Sequence, residues 1–383
     1  RQDGVPYSAA ERRSVFQGES GASFYNESIG YAGIRGRYMK SRRIAAAGLL
    51  CCMGAALLSA CGEQQHETAD KVYVGVTCYN QSDTFLGELL ECFKEQMDEL
   101  ESGDLETVVA VRDAAGSQRT QNDQVKELIN AGCNVLCVNL VDRADPSEII
   151  DLAREKDIPI IFFNREPVAE DLLQWERMYY VGAEAKESGV MQGEVAAEVI
   201  LADSGIDRNN DGKIQYVVLE GEPGHQDAII RTENAVDTIK SKGIKLEKLS
   251  YGIANWNRAQ AQNRMQQLIG QYQNEIELVL ANNDDMALGA IDAYKKLNRT
   301  ESGMPVFFGI DGTDVGLEAV VESELAGTVY NDKSGQAEAM AKLASALVTG
   351  EGMDELEFKN GKYIYVPYSK VTRENVGEYI GRE

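Results

Sequence analysis

Short apolar runs alternate with amphipathic stretches from residue 71 onward, and this alternation predicts an α/β fold. The runs are rich in β-branched and aromatic residues and apolar on both faces, as is typical of buried parallel strands. They span residues 72–76, 135–138, 158–163, 216–219, 278–281 and 306–310. Amphipathic helical patterns cover residues 85–100, 121–131, 187–201, 231–242 and 259–269. Over about 310 residues, this order favours two doubly wound domains with right-handed crossovers over one large sheet.

Polar residues follow these runs at the positions where a parallel sheet would bind a ligand. In open α/β sheets, ligands bind beyond the carboxyl ends of the strands. The residues that stand there are Asp83, Asn139, His225, Asp227, Asn283, Asp311 and Asn331. Any one of them alone is more typical of a helix N-cap, for which Asp and Asn are preferred. As a set they predict one polar site at which several strand ends converge.

An apolar run at residues 44–60 precedes the predicted fold and has the features of a secretory signal. It follows the basic residues Lys40, Arg42 and Arg43 and ends in small residues, Ser59-Ala60-Cys61, which indicates an export signal. The alternative is a single membrane anchor helix, for which 17 residues are a lower limit. Leu58-Ser59-Ala60-Cys61 closely resembles the bacterial lipoprotein processing box, which implies that Cys61 carries the lipid anchor. We therefore expect a signal at 39–61, upstream or unstructured sequence at 1–38 and a flexible tether at 62–70.

Composition narrows the function classes. The 383 residues include 62 acidic and 38 basic side chains, a net charge of -24, which disfavours nucleic acid as a partner because like charges repel. The only histidines are His66 and His225, which leaves little room for histidine-based metal or triad chemistry. No CxxC pair indicates structural zinc. We interpret Cys133 and Cys137 as small buried hydrophobic residues, and the pairing state of the cysteines, which include Cys78 and Cys92, stays open.

The side chains at the strand ends suit a polyhydroxylated ligand. Carboxylates accept hydrogen bonds from hydroxyl groups, and amide or guanidinium groups donate to them. Aromatic rings pack against the apolar face of a pyranose. Neither a GxxxxGK[ST] nor a GxGxxG sequence follows a strand, so a phosphate-binding loop is not predicted. A catalytic pair of His225 and Asp227 is an alternative, but no GxSxG nucleophile sequence supports it.

Five segments carry a resemblance to a known family. They are Asp83-x-Phe85, Asn139-Leu140-Val141-Asp142, Gly221-Glu222-Pro223-Gly224-His225-x-Asp227-Ala228 with Arg231, Ala281-Asn282-Asn283-Asp284, and Gly327-Thr328-Val329-Tyr330-Asn331-Asp332. In this order they closely resemble the glucose/galactose-binding protein family of ABC importers. The resemblance covers essentially all of the chain from Lys71 onward.

The resemblance implies a type 1 periplasmic binding protein fold, in which two Rossmann-like domains are joined by a three-segment hinge. We expect the first domain at 71–158 with 332–365, and the second at 159–331 with 366–383. Phe85 and Trp256 would then sandwich the pyranose ring; the alternative for Trp256 is a core residue, and for His225 with Asp227 a helix cap. The residues implied to hold the sugar hydroxyls are Asp83, Asn139, His225, Asp227, Arg231, Asn283, Asp311 and Asn331.

The segment 207–215 has the spacing of a calcium loop. Its oxygen donors are Asp207, Asn209, Asp211 and Gln215, with Gly212 at the sixth position and the main-chain carbonyl of Lys213 at the seventh, as in an EF-hand. Val218 stands at the twelfth position and cannot coordinate a cation. The family resemblance implies Glu277 as the missing carboxylate and calcium as a structural ion. An Asx-rich turn without metal is the alternative.

The signal sequence and the family resemblance together imply a lipid-anchored, monomeric binding protein on the extracytoplasmic face of the cell membrane. It would capture D-galactose or D-glucose, deliver the sugar to an ABC permease and catalyse no reaction. One alternative is a sugar sensor that presents its closed form to a membrane receptor. Another is a sugar-active enzyme, which would need two carboxylates that flank the scissile bond.

Overall fold

The computed structural model describes residues 70–299 and 303–381. Its strands are β1 (Asp70–Cys78), β2 (Leu105–Asp113), β3 (Val135–Val138), β4 (Ile160–Phe163), β5 (Met178–Gly182), β6 (Ile214–Glu220), β7 (Leu246–Ile253), β8 (Leu278–Ala281), β9 (Val306–Phe308), β10 (Thr328–Asn331), β11 (Tyr363–Tyr365) and β12 (Tyr368–Val371). Its α-helices are α1 (Thr84–Leu100), α2 (Gln118–Asn130), α3 (Ser147–Glu155), α4 (Ala169–Leu172), α5 (Ala185–Ala202), α6 (Gln226–Ser241), α7 (Arg258–Tyr272), α8 (Asp284–Lys296), α9 (Asp314–Val321) and α10 (Lys333–Thr349). The predicted signal at 39–61, its Cys61 and the segments 1–38 and 62–69 lie outside the described residues.

The first lobe is a six-stranded parallel sheet in the order β11-β5-β4-β3-β1-β2. Strands β3 and β4 are buried along their whole length, which explains why their sequences are apolar on both faces. Helices α1 and α10 pack against each other on one face of the sheet, and α2 and α3 contact each other on the other.

The second lobe has a four-stranded parallel sheet in the order β7-β6-β8-β9. Helix α5 packs on α6, and α7 packs on α8. Strands β10 and β12 form an antiparallel pair that belongs to the same lobe. An isolated parallel β-bridge joins Asp311, which follows β9, to Tyr330 of β10. The prediction of two doubly wound α/β lobes is confirmed. The edge strands β2 and β7 escape the sequence analysis because they are only partly buried and their sequences are less uniformly apolar.

The chain crosses between the lobes after β5, between β10 and α10, and between β11 and β12. The sequence places the first crossing between residues 158 and 159, and this prediction is wrong. Strand β4 pairs with β3, and β5 pairs with β4, so both strands extend the first sheet. The crossing therefore follows Gly182. Strand pairing decides this boundary, and it joins segments that no local pattern in the sequence connects.

No helix in the described ranges is both long and apolar enough to cross a membrane.

Candidate functional site

A pocket lies between the two lobes, where the carboxyl ends of their strands face each other. Its lining residues from the first lobe are Tyr79, Asp83, Phe85, Asn164 and Arg165. Those from the second lobe are His225, Asp227, Arg231, Trp256, Asn283 and Asp311. Eight of the ten predicted sugar ligands are in this set. The pocket therefore takes polar side chains from both lobes, with Phe85 from the first and Trp256 from the second.

Asp83 and Tyr79 form the polar wall of the first lobe. Asp83 caps α1, since its Oδ1 accepts a hydrogen bond from Leu86 N at 3.0 Å. The Tyr79 hydroxyl donates to Asp83 Oδ2 at 2.5 Å. Burial and the Asp83 charge raise the pKa of Tyr79 above its ordinary value, so the phenol stays protonated and acts as a donor. Asp83 is therefore held in place while its carboxylate keeps acceptor capacity for a ligand.

Arg165 lines the same wall and is not among the residues predicted from the sequence. Its guanidinium lies 3.5 Å from the centre of the Tyr79 ring, a distance at which cation–π attraction operates. Its Nη1 donates to Val141 O at 3.2 Å, and its Nη2 donates to Glu222 Oε1 of the second lobe at 3.0 Å. Arg165 thus connects the pocket wall of one lobe with a loop of the other.

Arg231 and Asp311 form a buried charge pair in the second lobe. Their closest atoms are 3.5 Å apart, and Arg231 also donates to Asn282 O at 2.7 Å and to the Tyr368 hydroxyl at 3.1 Å. Burial raises the pKa of Asp311 well above its ordinary value, although Arg231 acts in the opposite direction. Arg231 Nε is a buried donor without a hydrogen-bond partner among the described residues. Because such donors are costly to leave unpaired, this atom indicates a ligand oxygen.

Trp256 stands on the opposite wall in an unusual backbone conformation. Its φ is 60°, which is rare for a bulky residue and costs conformational energy. The indole lies so close to Gly221 that a Cβ there would overlap the ring. Its Nε1 is also a buried donor without a partner in the described part of the chain. The loop therefore holds the indole at the pocket at an energetic cost, as is typical of binding sites.

His225 lies edge-on to Trp256, with ring centres 5.2 Å apart. Its Nδ1 accepts a hydrogen bond from Asp227 N at 3.2 Å and so caps α6. Burial is the largest influence on this imidazole and lowers its pKa to about 4. The ring is therefore neutral near pH 7, with its proton on Nε2, because Nδ1 is an acceptor.

Asn283 lies at the pocket as the N-cap of α8. Its Oδ1 accepts from Met286 N at 3.0 Å, and its Nδ2 donates to Trp256 O at 3.3 Å. Asn283 therefore also ties the strained Trp256 loop to α8.

Asn139 and Asn331 are predicted sugar ligands that do not line the pocket. Asn139 is fully buried; it accepts from Tyr79 N at 3.3 Å and donates to Asn164 Oδ1 at 3.0 Å. Asn331 accepts from Gln336 Nε2 at 2.6 Å, and its main-chain N donates to Asp311 O at 2.8 Å. Asn139 therefore positions Tyr79 and Asn164 of the pocket wall through its side chain, whereas Asn331 contacts Asp311 only through its main chain.

Tyr79, Asn164 and Arg165 line the pocket but were not predicted from the sequence. Tyr79 directly follows β1, and Asn164 and Arg165 directly follow β4. The rule that ligands bind at strand ends would have selected all three. Asn164 and Arg165 follow the 158–163 run, whose end contributes none of the predicted polar residues, and Tyr79 precedes the polar series that starts at Asn80 after the first run.

The predicted calcium loop folds into a tight network of Asx turns. Asp207 Oδ2 accepts from Gly212 N at 2.9 Å, and Asn209 Oδ1 accepts from Asp211 N at 2.8 Å. Gln215 Nε2 donates to Asp211 Oδ2 at 3.0 Å. These bonds bring the predicted oxygen donors of the loop together.

Glu277 reaches this loop from the start of β8. It is 2% exposed, and its two oxygens accept from Arg208 N at 2.7 Å and from Gln215 N at 3.1 Å. No ion pair of Glu277 with a lysine or arginine occurs among residues 70–299 and 303–381. A buried carboxylate without a cationic partner is costly, and oxygen donors suit calcium, so the residues present fit the ion. Within the same ranges, no three or more His, Cys, Asp or Glu side chains are grouped closely enough to hold a metal. Asp207, Asp211 and Glu277 therefore do not form a metal site by themselves, and the proposed set also needs amide and main-chain oxygens.

The four cysteines of the described part, Cys78, Cys92, Cys133 and Cys137, are buried and free. Burial raises the pKa of Cys133 to about 12, so this thiol is not a reactive group.

The chain is similar to known proteins in both sequence and structure. The family described as "Periplasmic binding protein domain" matches residues 74–352. The D-galactose/methyl-galactoside binding periplasmic protein MglB of Haemophilus influenzae is 35% identical over 311 residues, which cover 80% of this chain and 91% of that protein. A putative rhizopine-binding protein of Rhizobium meliloti is 32% identical over 273 residues, 71% of this chain and 82% of that protein. An ABC transporter solute binding protein from Bacillus halodurans, solved with bound myo-inositol, is 30% identical, has a TM-score of 0.68 and covers 82% of this chain and 99% of its own.

Proposed function

Since the chain belongs to the periplasmic binding protein domain family and is a sugar-binding component of an ABC transporter, we propose that its ligand is a single molecule of D-galactose or D-glucose. The family consists of non-enzymatic transport components, which agrees with the prediction that the chain is not an enzyme. The finer proposal, the identity of the sugar, rests on the residues of the pocket.

The observation that carries the proposal is a pocket to which each lobe contributes aromatic side chains and polar groups. Phe85 and Trp256 provide apolar surfaces for the faces of a pyranose. The Arg231–Asp311 pair provides a donor and an acceptor for neighbouring hydroxyls, and Arg231 Nε has no hydrogen-bond partner in the described part of the chain. A relative that is 35% identical binds D-galactose and methyl-galactoside according to its name, which supports a hexose.

A sugar that contacts both lobes would also favour closure of the two lobes around it. A ligand that touches both lobes binds the closed form more tightly than the open form and so increases the closed population. We propose that the closed form is the one presented to the permease.

The proposal is tested by calorimetric titration of the protein with D-galactose, D-glucose, D-ribose, D-xylose and myo-inositol, beside an assay for sugar turnover. We expect one-to-one binding of a hexose without turnover. Asp83→Asn should weaken this binding, whereas Asp123→Asn, on the exposed surface of α2, should not. Tighter binding of myo-inositol or a pentose than of either hexose would contradict the proposed ligand.

We also propose that residues 207–215 and Glu277 hold a structural calcium ion. The ligands would be the side-chain oxygens of Asp207, Asn209, Asp211, Gln215 and Glu277, with the carbonyl oxygen of Lys213. When bound, calcium would compensate the buried Glu277 charge and fix the loop between α5 and β6. None of these residues lines the pocket between the lobes.

Thermal unfolding with and without a calcium chelator tests this site. The chelator should lower the thermal midpoint of the wild-type protein, because an ion that binds only the folded state stabilises it. The chelator should lower the midpoint of Glu277→Gln much less. It should also change the affinity of the wild-type protein for hexose only slightly. Identical midpoints with and without chelator would contradict the assignment.

Lipid attachment at Cys61 is a separate proposal, supported by the sequence Leu58-Ser59-Ala60-Cys61. We expect wild-type protein to fractionate with membranes and Cys61→Ala to be released from them, because the variant lacks the acyl chains that anchor it. Equal fractionation of both proteins would contradict it.

A further inference from the structure

The two lobes are joined by an ion pair that lies beside the pocket. Arg165 follows β4 of the first lobe, and Glu222 follows β6 of the second. Arg165 Nη2 donates to Glu222 Oε1 at 3.0 Å. The Arg165 side chain is 5% exposed and that of Glu222 is 33% exposed. Because the arginine end is sheltered from water, this pair is screened less than the exposed pairs of the surface.

Arg165 is held in the orientation that this pair requires. Its guanidinium stacks on Tyr79 at 3.5 Å, and its Nη1 donates to Val141 O at 3.2 Å. Tyr79 in turn donates to Asp83. On the other side, Glu222 O accepts from His225 N at 3.1 Å. The ion pair therefore links the loops that carry Asp83 and His225, which belong to different lobes.

The pair also lies on the border between the pocket and a second chamber. This outer chamber is lined by Gly116, Gln118, Val141, Asp142, Arg143, Arg165, Glu222, Pro223, Gly224 and His225. Arg165 and His225 line both spaces, whereas Glu222 lines only the outer one. While Arg165 is bonded to Glu222, the two side chains stand between the pocket and this chamber.

We propose that Arg165 and Glu222 form a gate that closes over the bound sugar and controls its release. The pair forms when the lobes close and must break before the ligand can leave through the outer chamber. Arg165 also acts as a positioning residue, since it orients Tyr79 and through it Asp83. This inference rests on the proposed sugar-binding function and adds the step that determines how long the sugar stays bound.

Stopped-flow kinetics of hexose binding test the gate with Glu222→Gln. This variant keeps the size of the side chain but removes its charge, and Glu222 is exposed enough for the protein to fold without it. We expect the dissociation rate to rise about tenfold, equivalent to about 1.4 kcal/mol, and the association rate to change by less than about twofold, because breaking a sheltered charge pair acts mainly on dissociation. Glu148→Gln is the matched control, since it breaks an ion pair with Lys126 that lies within the first lobe.

A double-mutant cycle separates the gate from a general structural effect. In the Arg165→Met background, Glu222→Gln should cause no further rise in the dissociation rate, since the pair is already broken. Additive effects, or a Glu222→Gln dissociation rate equal to that of the wild type and Glu148→Gln, would overturn the gate while the sugar-binding function stands. Absence of hexose binding by the wild-type protein would overturn both.

Discussion

Trp256 shows how a single residue of the pocket is held in place against its conformational preference. Its positive φ of 60° follows another positive φ, 50°, at Asn255. The strained turn is held by Asn283, which donates to Trp256 O, and Gly221 leaves space for the indole. Trp256 is 9% exposed, and its Nε1 has no hydrogen-bond partner among the residues that the structure describes. The alternative that Trp256 is a core residue therefore explains its burial but not this donor.

Trp256→Ala should weaken hexose binding by about 1 to 3 kcal/mol, the scale of a lost buried aromatic contact. Titration calorimetry measures the change. Trp175→Ala is the control, because Trp175 is partly buried against the core of the first lobe and does not line the pocket. Unchanged affinity in Trp256→Ala would remove Trp256 from the ligand site.

His225 makes the stability of the protein depend on pH with a defined sign. Its folded-state pKa of about 4 lies below the ordinary 6.5, so the folded state favours the neutral imidazole. Its contribution to stability is complete above pH 6.5 and is lost as the pH falls towards 4, because the unfolded state takes up the proton first. The charged groups that act on it are Asp227, Glu222, Arg165 and Arg231.

His225→Asn isolates this contribution, since asparagine can also cap α6 but does not titrate in this range. The free energy of unfolding, measured by urea denaturation at pH 8, 6 and 4.5, should fall more steeply for the wild type than for the variant. Parallel curves would show that His225 titrates normally in the folded protein.

At the scale of elements, three helices begin at the pocket with a predicted ligand as the cap. Asp83, His225 and Asn283 cap α1, α6 and α8. Capping and ligand binding are therefore not exclusive interpretations of these residues. His225 caps with Nδ1 and leaves Nε2 for a ligand, and Asp83 caps with one oxygen while its carboxylate keeps further lone pairs.

Helix α10 begins at a lysine that joins elements of both lobes. Lys333 Nζ donates to Glu88 of α1 and to Asp314 of α9, each at 2.7 Å. The Lys333 side chain is 7% exposed and that of Glu88 is 16% exposed. Burial raises the pKa of Glu88, whereas its bond to Lys333 lowers it, so the charged carboxylate depends on the lysine.

Lys333→Met should lower the free energy of unfolding by about 2 to 3 kcal/mol, because it leaves the mostly buried Glu88 carboxylate without a cationic partner. Urea denaturation measures the loss. Lys342→Met is the control; it removes an exposed pair with Glu338 on the same helix and should cost less than about 0.5 kcal/mol. Equal losses in the two variants would contradict the role of Lys333.

At the scale of the whole molecule, the pocket exists only because two lobes meet. Phe85 belongs to the first lobe and Trp256 to the second, and the chain crosses between the lobes three times. A sugar bound between the lobes contacts residues that meet only in the folded protein, so the unfolded chain has no equivalent site. Ligand binding is therefore coupled to the stability of the molecule.

Hexose at 100 times its dissociation constant should raise the free energy of unfolding by about 2.7 kcal/mol. Urea denaturation with and without sugar measures the shift. Trp256→Ala at the same hexose concentration should show a smaller one, and a sugar that does not bind should cause none. No shift for a hexose that binds in calorimetry would mean that it also binds the unfolded chain.

The amino-acid sequence by itself determined the fold class and most of the pocket. Buried strands such as β3 and β4 are short, continuous apolar runs, and the residues after them are polar, so strand ends could be recognised locally. For that reason the strand ends predict Asp83, His225 and Asp311 as site residues, whereas Arg231, inside α6, is predicted only by the family resemblance.

The tertiary structure decided which segments pair and which side chains meet across the lobes. It moved the first crossing from residue 158 to Gly182, because β4 and β5 hydrogen-bond into the first sheet. It placed Asn139 and Asn331 behind the pocket wall and brought Arg165 to Glu222, 57 positions away in sequence. Such contacts depend on the packing of distant segments, and a local pattern carries no information about which distant partner a side chain meets.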